Sequence, residues 1–146
     1  MINLLGAKTH FSVGESIYDP EALVKKAELA GYAGIVVTDV ESIDAMPIIM
    51  SKAKGLKVGL GVQIAVVDDL SWVAAKRGEP RRAPNPVFVP TLFVRNEQGF
   101  RDLCELLTLA QDPDHYCAKP ARMQLDMVEL LDSMSRGNLT MTLGSA

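Results

Sequence analysis

"LVKKAELAGYAGIVVTD", residues 23–39, contains a helix, a stop signal and a strand in succession. Asp19, just upstream, can cap the helix. Pro20 suits its first turn and Gly31 ends it. Ala22, Leu23, Ala27 and Ala30 make a narrow apolar stripe at helical spacing, with Lys25 and Lys26 on the wetter side. The run "AGIVVTD" that follows is continuously apolar and β-branched. That composition suits a strand buried on both faces, as in parallel sheets.

The flanking sequence repeats this alternation. "INLLGAKT" (2–9) reads as a first strand. "ESIDAMPIIMSKAKG" (41–55) reads as a helix with Ser42 as its cap and Pro47 in its first turns. "LKVGLGVQIAVV" (56–67) reads as one long strand, with Gly59 and Gly61 marking a bend or a close backbone approach. "VFVPTLFVRN" (87–96) is a fourth strand. Pro90 cannot donate a ladder hydrogen bond, which puts this strand at an edge or a bulge. "NEQGFRDLCELLTLAQ" (96–111) is a helix capped by Asn96, with Phe100, Leu103, Leu106, Leu107 and Ala110 toward the core. "QLDMVELLDSMSRG" (124–137) is a further helix, and "NLTMTL" (138–143) a last strand. The fold class is therefore α/β, built from β/α units on a parallel sheet. Residues 1–146 read as a single domain. Residues 68–86, with three prolines, read as a long loop or insertion.

Composition narrows the function classes. The chain has 146 residues, 48% apolar and 23% charged, which fits an ordinary globular domain. Fifteen Lys and Arg against 18 Asp and Glu leave a net charge of −3, which argues against a whole-surface grip on DNA. Cys104 and Cys117 lack the spacing of a zinc finger or redox pair and read as free thiols in a reducing compartment. The sequence shows no signal peptide and no apolar run long enough to span a bilayer, so the expected location is cytoplasmic, with no membrane partner.

In parallel α/β sheets, ligands bind beyond the carboxyl ends of the strands. Those ends carry Lys8 and His10 after the first strand in "GAKTHFSVGES" (6–16), Thr38 and Asp39 after the second, and Gln63 near the end of the third. The wording of several segments carries a family resemblance. "LVKKAELAGYAGIVVTD" followed by "GLKVGLGVQ" resembles the PHP (polymerase and histidinol phosphatase) domain at the N-terminus of bacterial replicative DNA polymerase III α subunits. "RNEQGFRDLCELLTLA", "AKPARM" and "GNLTMTLGSA" are similar to later segments of that family, in the same order. The resemblance implies part of a distorted β/α barrel, and the chain reads as one portion of a larger protein.

The resemblance also implies metal ligands, and here the sequence departs from it. Lys8 stands where the family has the first histidine of His-x-His, and His10 matches the second. Asp39 matches the aspartate of Thr-Asp-His, but Val40 replaces the histidine. Gln63 replaces the glutamate of Gly-x-Glu, and Val89 falls about where active members have a further histidine. Divalent clusters need carboxylates, imidazoles or thiolates. The expectation is a vestigial site at Lys8, His10, Asp39, Val40 and Gln63, without cofactor and without metal-activated water. Any residual Zn or Mn would sit at His10 and Asp39. Lys8 is expected to pair with Asp39 or to hydrogen-bond Gln63, unless it is merely exposed.

The leading expectation is a non-catalytic domain with a structural or docking role in DNA replication, its partners being the polymerase core or the proofreading exonuclease subunit. Two alternatives stand beside it: a standalone binding module acting on a replication component, and a metal-dependent phosphoesterase or nuclease. A half-barrel would leave its last strand as an open edge, which predicts a homodimer or coverage by 68–86. Lys76, Arg77, Arg81 and Arg82, near Trp72, form the one basic cluster, a weak candidate for nucleic-acid contact because stacking platforms combine several aromatics. "GLG" at 59–61 lacks the rest of a dinucleotide fingerprint. His115 near Cys117 reads as loop rather than as a nucleophile pair. Met123, Met127 and Met134 read as a helix-packing face.

Overall fold

A computed structural model describes residues 2–68, 70, 88–113, 115, 117–118 and 121–143. The chain divides into two compact units, Met1–Gln63 and Ile64–Ala146. The segment 71–86, with its basic cluster and Trp72, lies outside the described residues.

The first unit is a three-stranded parallel sheet with two helices. β1 (Asn3–Ala7) pairs with β2 (Gly34–Val40), and β2 with β3 (Lys57–Gln63). α1 (Pro20–Leu29) and α2 (Met46–Lys52) supply the crossovers. Asp19 caps α1 as expected, its side chain accepting from the Glu21 and Ala22 amides. Gly31, at φ +73, turns the chain out of the helix. The buried face of α1 is Pro20, Leu23, Val24 and Ala27, while Ala22 and Ala30 are exposed. Val24 rather than Ala22 completes the stripe because a larger apolar side chain gains more from burial. Leu23, Val24 and Ala27 join Ile35, Val37, Ala45 and Ile49 in the unit's core.

α2 starts later than its sequence suggests. Ser42 does not cap it; its hydroxyl donates to the Asp44 carboxylate and accepts from the Asp44 amide. The helix begins after Ala45, which makes no side-chain capping bond, and Pro47 falls in its first turn. The pairing of β2 with β3 is regular from Gly34↔Lys57 to Val40↔Gln63.

The strand expected over 56–67 is two strands. β2 stops at Val40, where Glu41 adopts φ +55 and its amide donates to the Gln63 carbonyl, and the β2–β3 ladder ends there. After Ile64 the chain resumes as β4 (Ala65–Val67), wholly buried, which belongs to the second unit and pairs in parallel with Gln124–Asp126.

In the second unit β5 (Pro90–Val94) begins at Pro90, where the missing N–H is harmless. Phe88 instead bridges Val66. α3 (Glu97–Ala110) is capped by Asn96, whose side chain accepts from the Gly99 amide at 2.8 Å. Leu103, Leu106, Leu107 and Ala110 are buried, but Phe100 is 40% exposed. Gly99 is the cause: a Cβ there would lie 2.2 Å from the Asn138 carbonyl oxygen, so the backbones meet at Gly99 and Phe100 is turned aside. Short strands β6 (Cys117–Ala118) and β7 (Ala121–Arg122) pair antiparallel. The segment read as one helix from 124 begins as a strand, β8 (Gln124–Asp126). Asp126 and Glu129 form a reciprocal capping box that fixes the start of α4 (Met127–Ser135). Met123, Met127 and Met134 are half-buried. β9 (Leu139–Leu143) runs antiparallel to β5. The molecule is thus mixed α/β with a mostly parallel sheet, as expected; β5–β9 and the short β6–β7 pair are antiparallel.

Candidate functional site

The candidate site lies at the carboxyl ends of β1, β2 and β3, within the first unit. Gly6 takes φ +72 and the β1–β2 register shifts between Leu4 and Ala7, so the chain leaves the ladder just before Lys8. The Lys8 ammonium donates to Gln63 Oε1 at 2.7 Å and also reaches the Glu15 carboxylate. Ser16 Oγ donates to the Lys8 carbonyl, and the His10 amide donates to the Tyr18 carbonyl. These bonds fold residues 8–18 back on themselves.

Asp39 is 1% exposed and is fully engaged. Its Oδ1 accepts from the Thr9 amide at 2.6 Å and from Ser12 Oγ at 2.7 Å, and its Oδ2 accepts from Thr9 Oγ1 at 2.7 Å. Ser12 Oγ in turn accepts from the Val40 amide. Lys8 therefore meets Gln63 and not Asp39. Strand alternation explains the separation. Asp39 is in register with Val62, and Val40 with Gln63, so Asp39 projects to the opposite face of the sheet from Val40 and Gln63. His10 is exposed, its ring tilted against Phe11 with centroids 4.6 Å apart.

These side chains do not fit a divalent cation. Val40 offers no donor atom, a lysine ammonium repels a cation, and the Gln63 oxygen already accepts from Lys8. Both Asp39 oxygens are committed to the turn at residues 9–12. Among the described residues, no three His, Cys, Asp or Glu side chains are grouped to hold a metal. Lys76, Arg77, Arg81 and Arg82 lie outside the described residues, and Val89 sits just before β5 in the second unit. His115 is buried in a turn and its Nε2 lies 2.8 Å from Glu129 Oε1. Sequence reasoning missed Thr9, Ser12 and Glu15. Their signal was only the run of short polar side chains after β1, which sequence alone reads as a loop.

The family model of the PHP domain matches residues 5–146. The chain belongs to the PHP domain family. Over 97% of its length this PHP domain is 34% identical to the DNA polymerase III subunit alpha of Yersinia pestis, and it spans 13% of that polymerase. It is 30% identical over 71% of its length to error-prone DNA polymerases of Burkholderia mallei and Burkholderia pseudomallei, of which it spans 9%. A crystal structure assigned as a metal-dependent phosphoesterase, from Bifidobacterium adolescentis, superposes with a TM-score of 0.47 at 18% identity, covering 74% of this chain and 32% of that one. Among the described residues, no helix is long and apolar enough to cross a membrane.

Proposed function

We propose that this PHP domain is non-catalytic and serves a structural or docking role within a replicative polymerase of the DNA polymerase III α kind. The observation that carries this reading is the Lys8–Gln63 hydrogen bond. A cation built into the protein occupies the strand ends where a metal-dependent hydrolase needs anionic or imidazole ligands. Asp39, the one carboxylate of the expected set, acts as an anchor for the turn at Thr9 and Ser12. The 34% identity to a DNA polymerase III subunit alpha supports replication proteins as partners, namely the polymerase core or its exonuclease subunit, in the cytoplasm.

Elemental analysis of the purified chain after incubation with Zn²⁺ and Mn²⁺, paired with a phosphomonoester hydrolysis assay, tests the reading. Substoichiometric metal and hydrolysis at the buffer rate are expected. One equivalent of bound metal whose loss follows His10→Ala or Asp39→Ala, or turnover abolished by those changes, overturns it.

A further inference from the structure

We propose that the cleft between α3 and α4 is a docking slot for one lysine side chain presented by a partner protein. The cleft lies within the second unit, has a volume of about 170 Å³, and does not involve the strand-end site. Its apolar floor is Leu106 and Leu109, the latter 36% exposed. Its walls carry four carboxylates, those of Asp102, Glu105, Glu129 and Asp132, against one guanidinium, Arg136. Arg136 donates to Asp102, Glu105 and Asp132 at 3.0–3.3 Å. Asp102 is further held by Gln98 and Asn138, and Glu129 by His115 and the Asp126 amide, so the oxygens with room for another donor are those of Glu105 and Asp132.

A second observation points to a missing donor. Ser133 is also part of the wall and is 3% exposed, yet its Oγ has no hydrogen-bond partner among the described residues. Buried hydroxyls normally find one. An apolar floor beneath an acidic rim matches a side chain with a long methylene stem and a cationic tip. Lysine fits better than arginine. Arg136 already takes up the planar, fork-like contacts, and the remaining oxygens of Glu105 and Asp132 are suited to a compact ammonium.

The test is an NMR titration of the ¹⁵N-labelled 146-residue chain at low salt. The probe is N-acetyl-lysine methylamide, with N-acetyl-norleucine methylamide, N-acetyl-arginine methylamide and ammonium chloride run in parallel. Saturable shifts confined to the amides of 105–109 and 129–136 are expected with the lysine probe, at least about tenfold weaker with the other three. Leu109→Lys, a change at an accessible position that places an ammonium in the cleft from within, should abolish them while leaving the thermal melt in place. Three results overturn the proposal: no saturable shifts, equal shifts with the arginine or ammonium probes, or lysine shifts that persist in Leu109→Lys.

Discussion

Lys8 and Gln63, 55 residues apart in sequence, meet at 2.7 Å where β1 and β3 end. The bond ties the exit of the first strand to the last residue of the third, and Glu15 holds the same ammonium from the loop side. With the side chain of Lys8 26% exposed, this is a partly screened interaction and its strength is modest. Its importance is positional, because it closes residues 8–16 over the strand ends.

A double-mutant cycle on Lys8→Met and Gln63→Leu therefore should give a coupling of about 0.5–1.5 kcal/mol by urea denaturation. Methionine keeps the packing of the lysine stem, so the coupling reports the hydrogen bond. A coupling indistinguishable from zero would show that the two groups meet without stabilising the fold.

Asp39 carries more. Three donors converge on a carboxylate that is almost fully buried, so Asp39→Asn removes the charge and turns an amide N–H toward groups that themselves donate. The expected loss is about 2–4 kcal/mol. Thr9→Val and Ser12→Ala should each cost less, since each removes one donor and leaves the others in place. Equal unfolding free energies for Asp39→Asn and the parent protein contradict the anchoring role.

What the sequence revealed follows from which signals are local. The α1–β2 unit could be read because cap, stripe, stop and buried strand all lie within residues 19–40. The split of 56–67 could not, because it depends on pairing with residues distant in sequence: 57–63 with 34–40, and 65–67 with 124–126. Phe100 was misplaced because helical periodicity ignores the tertiary contact at Gly99. At the site, the resemblance drew attention to Lys8, His10, Asp39, Val40 and Gln63. The two faces on which Asp39 and Gln63 project follow only from the strand register.

Two glycines separate steric from conformational cost. Gly99→Ala places a methyl group against the Asn138 carbonyl, a backbone atom that cannot swing away, and should destabilise by about 1–3 kcal/mol. A methyl group at Gly31 would meet nothing within 4 Å among the described residues, but this residue sits at φ +73. Gly31→Ala should cost about 1–2 kcal/mol, and Gly31→Asn less, because asparagine tolerates the left-handed region. Thermal denaturation of the three variants checks the ranking. An asparagine no better than alanine at 31 would mean that the dihedral is not the cause.

Acid stability should depend on Asp102. The Asn138 side-chain amide, with Gln98 and Arg136, holds its carboxyl below the usual carboxylate range, against the opposing effect of burial. A carboxyl whose folded pKa lies below its unfolded one contributes stability above the unfolded value, and loses it as pH falls through the folded value. The unfolding free energy should thus decline below about pH 4, and Asn138→Ala should flatten that decline by returning Asp102 toward its ordinary value. Glu21 is also held low, first by Lys52 and then by Lys25, but at an exposed position, so about 0.5 M salt should screen its part of the slope and spare that of Asp102. Urea titrations at successive pH values, with and without salt, separate the two. If Asn138→Ala leaves the acid slope unchanged in high salt, Asp102 is not its source.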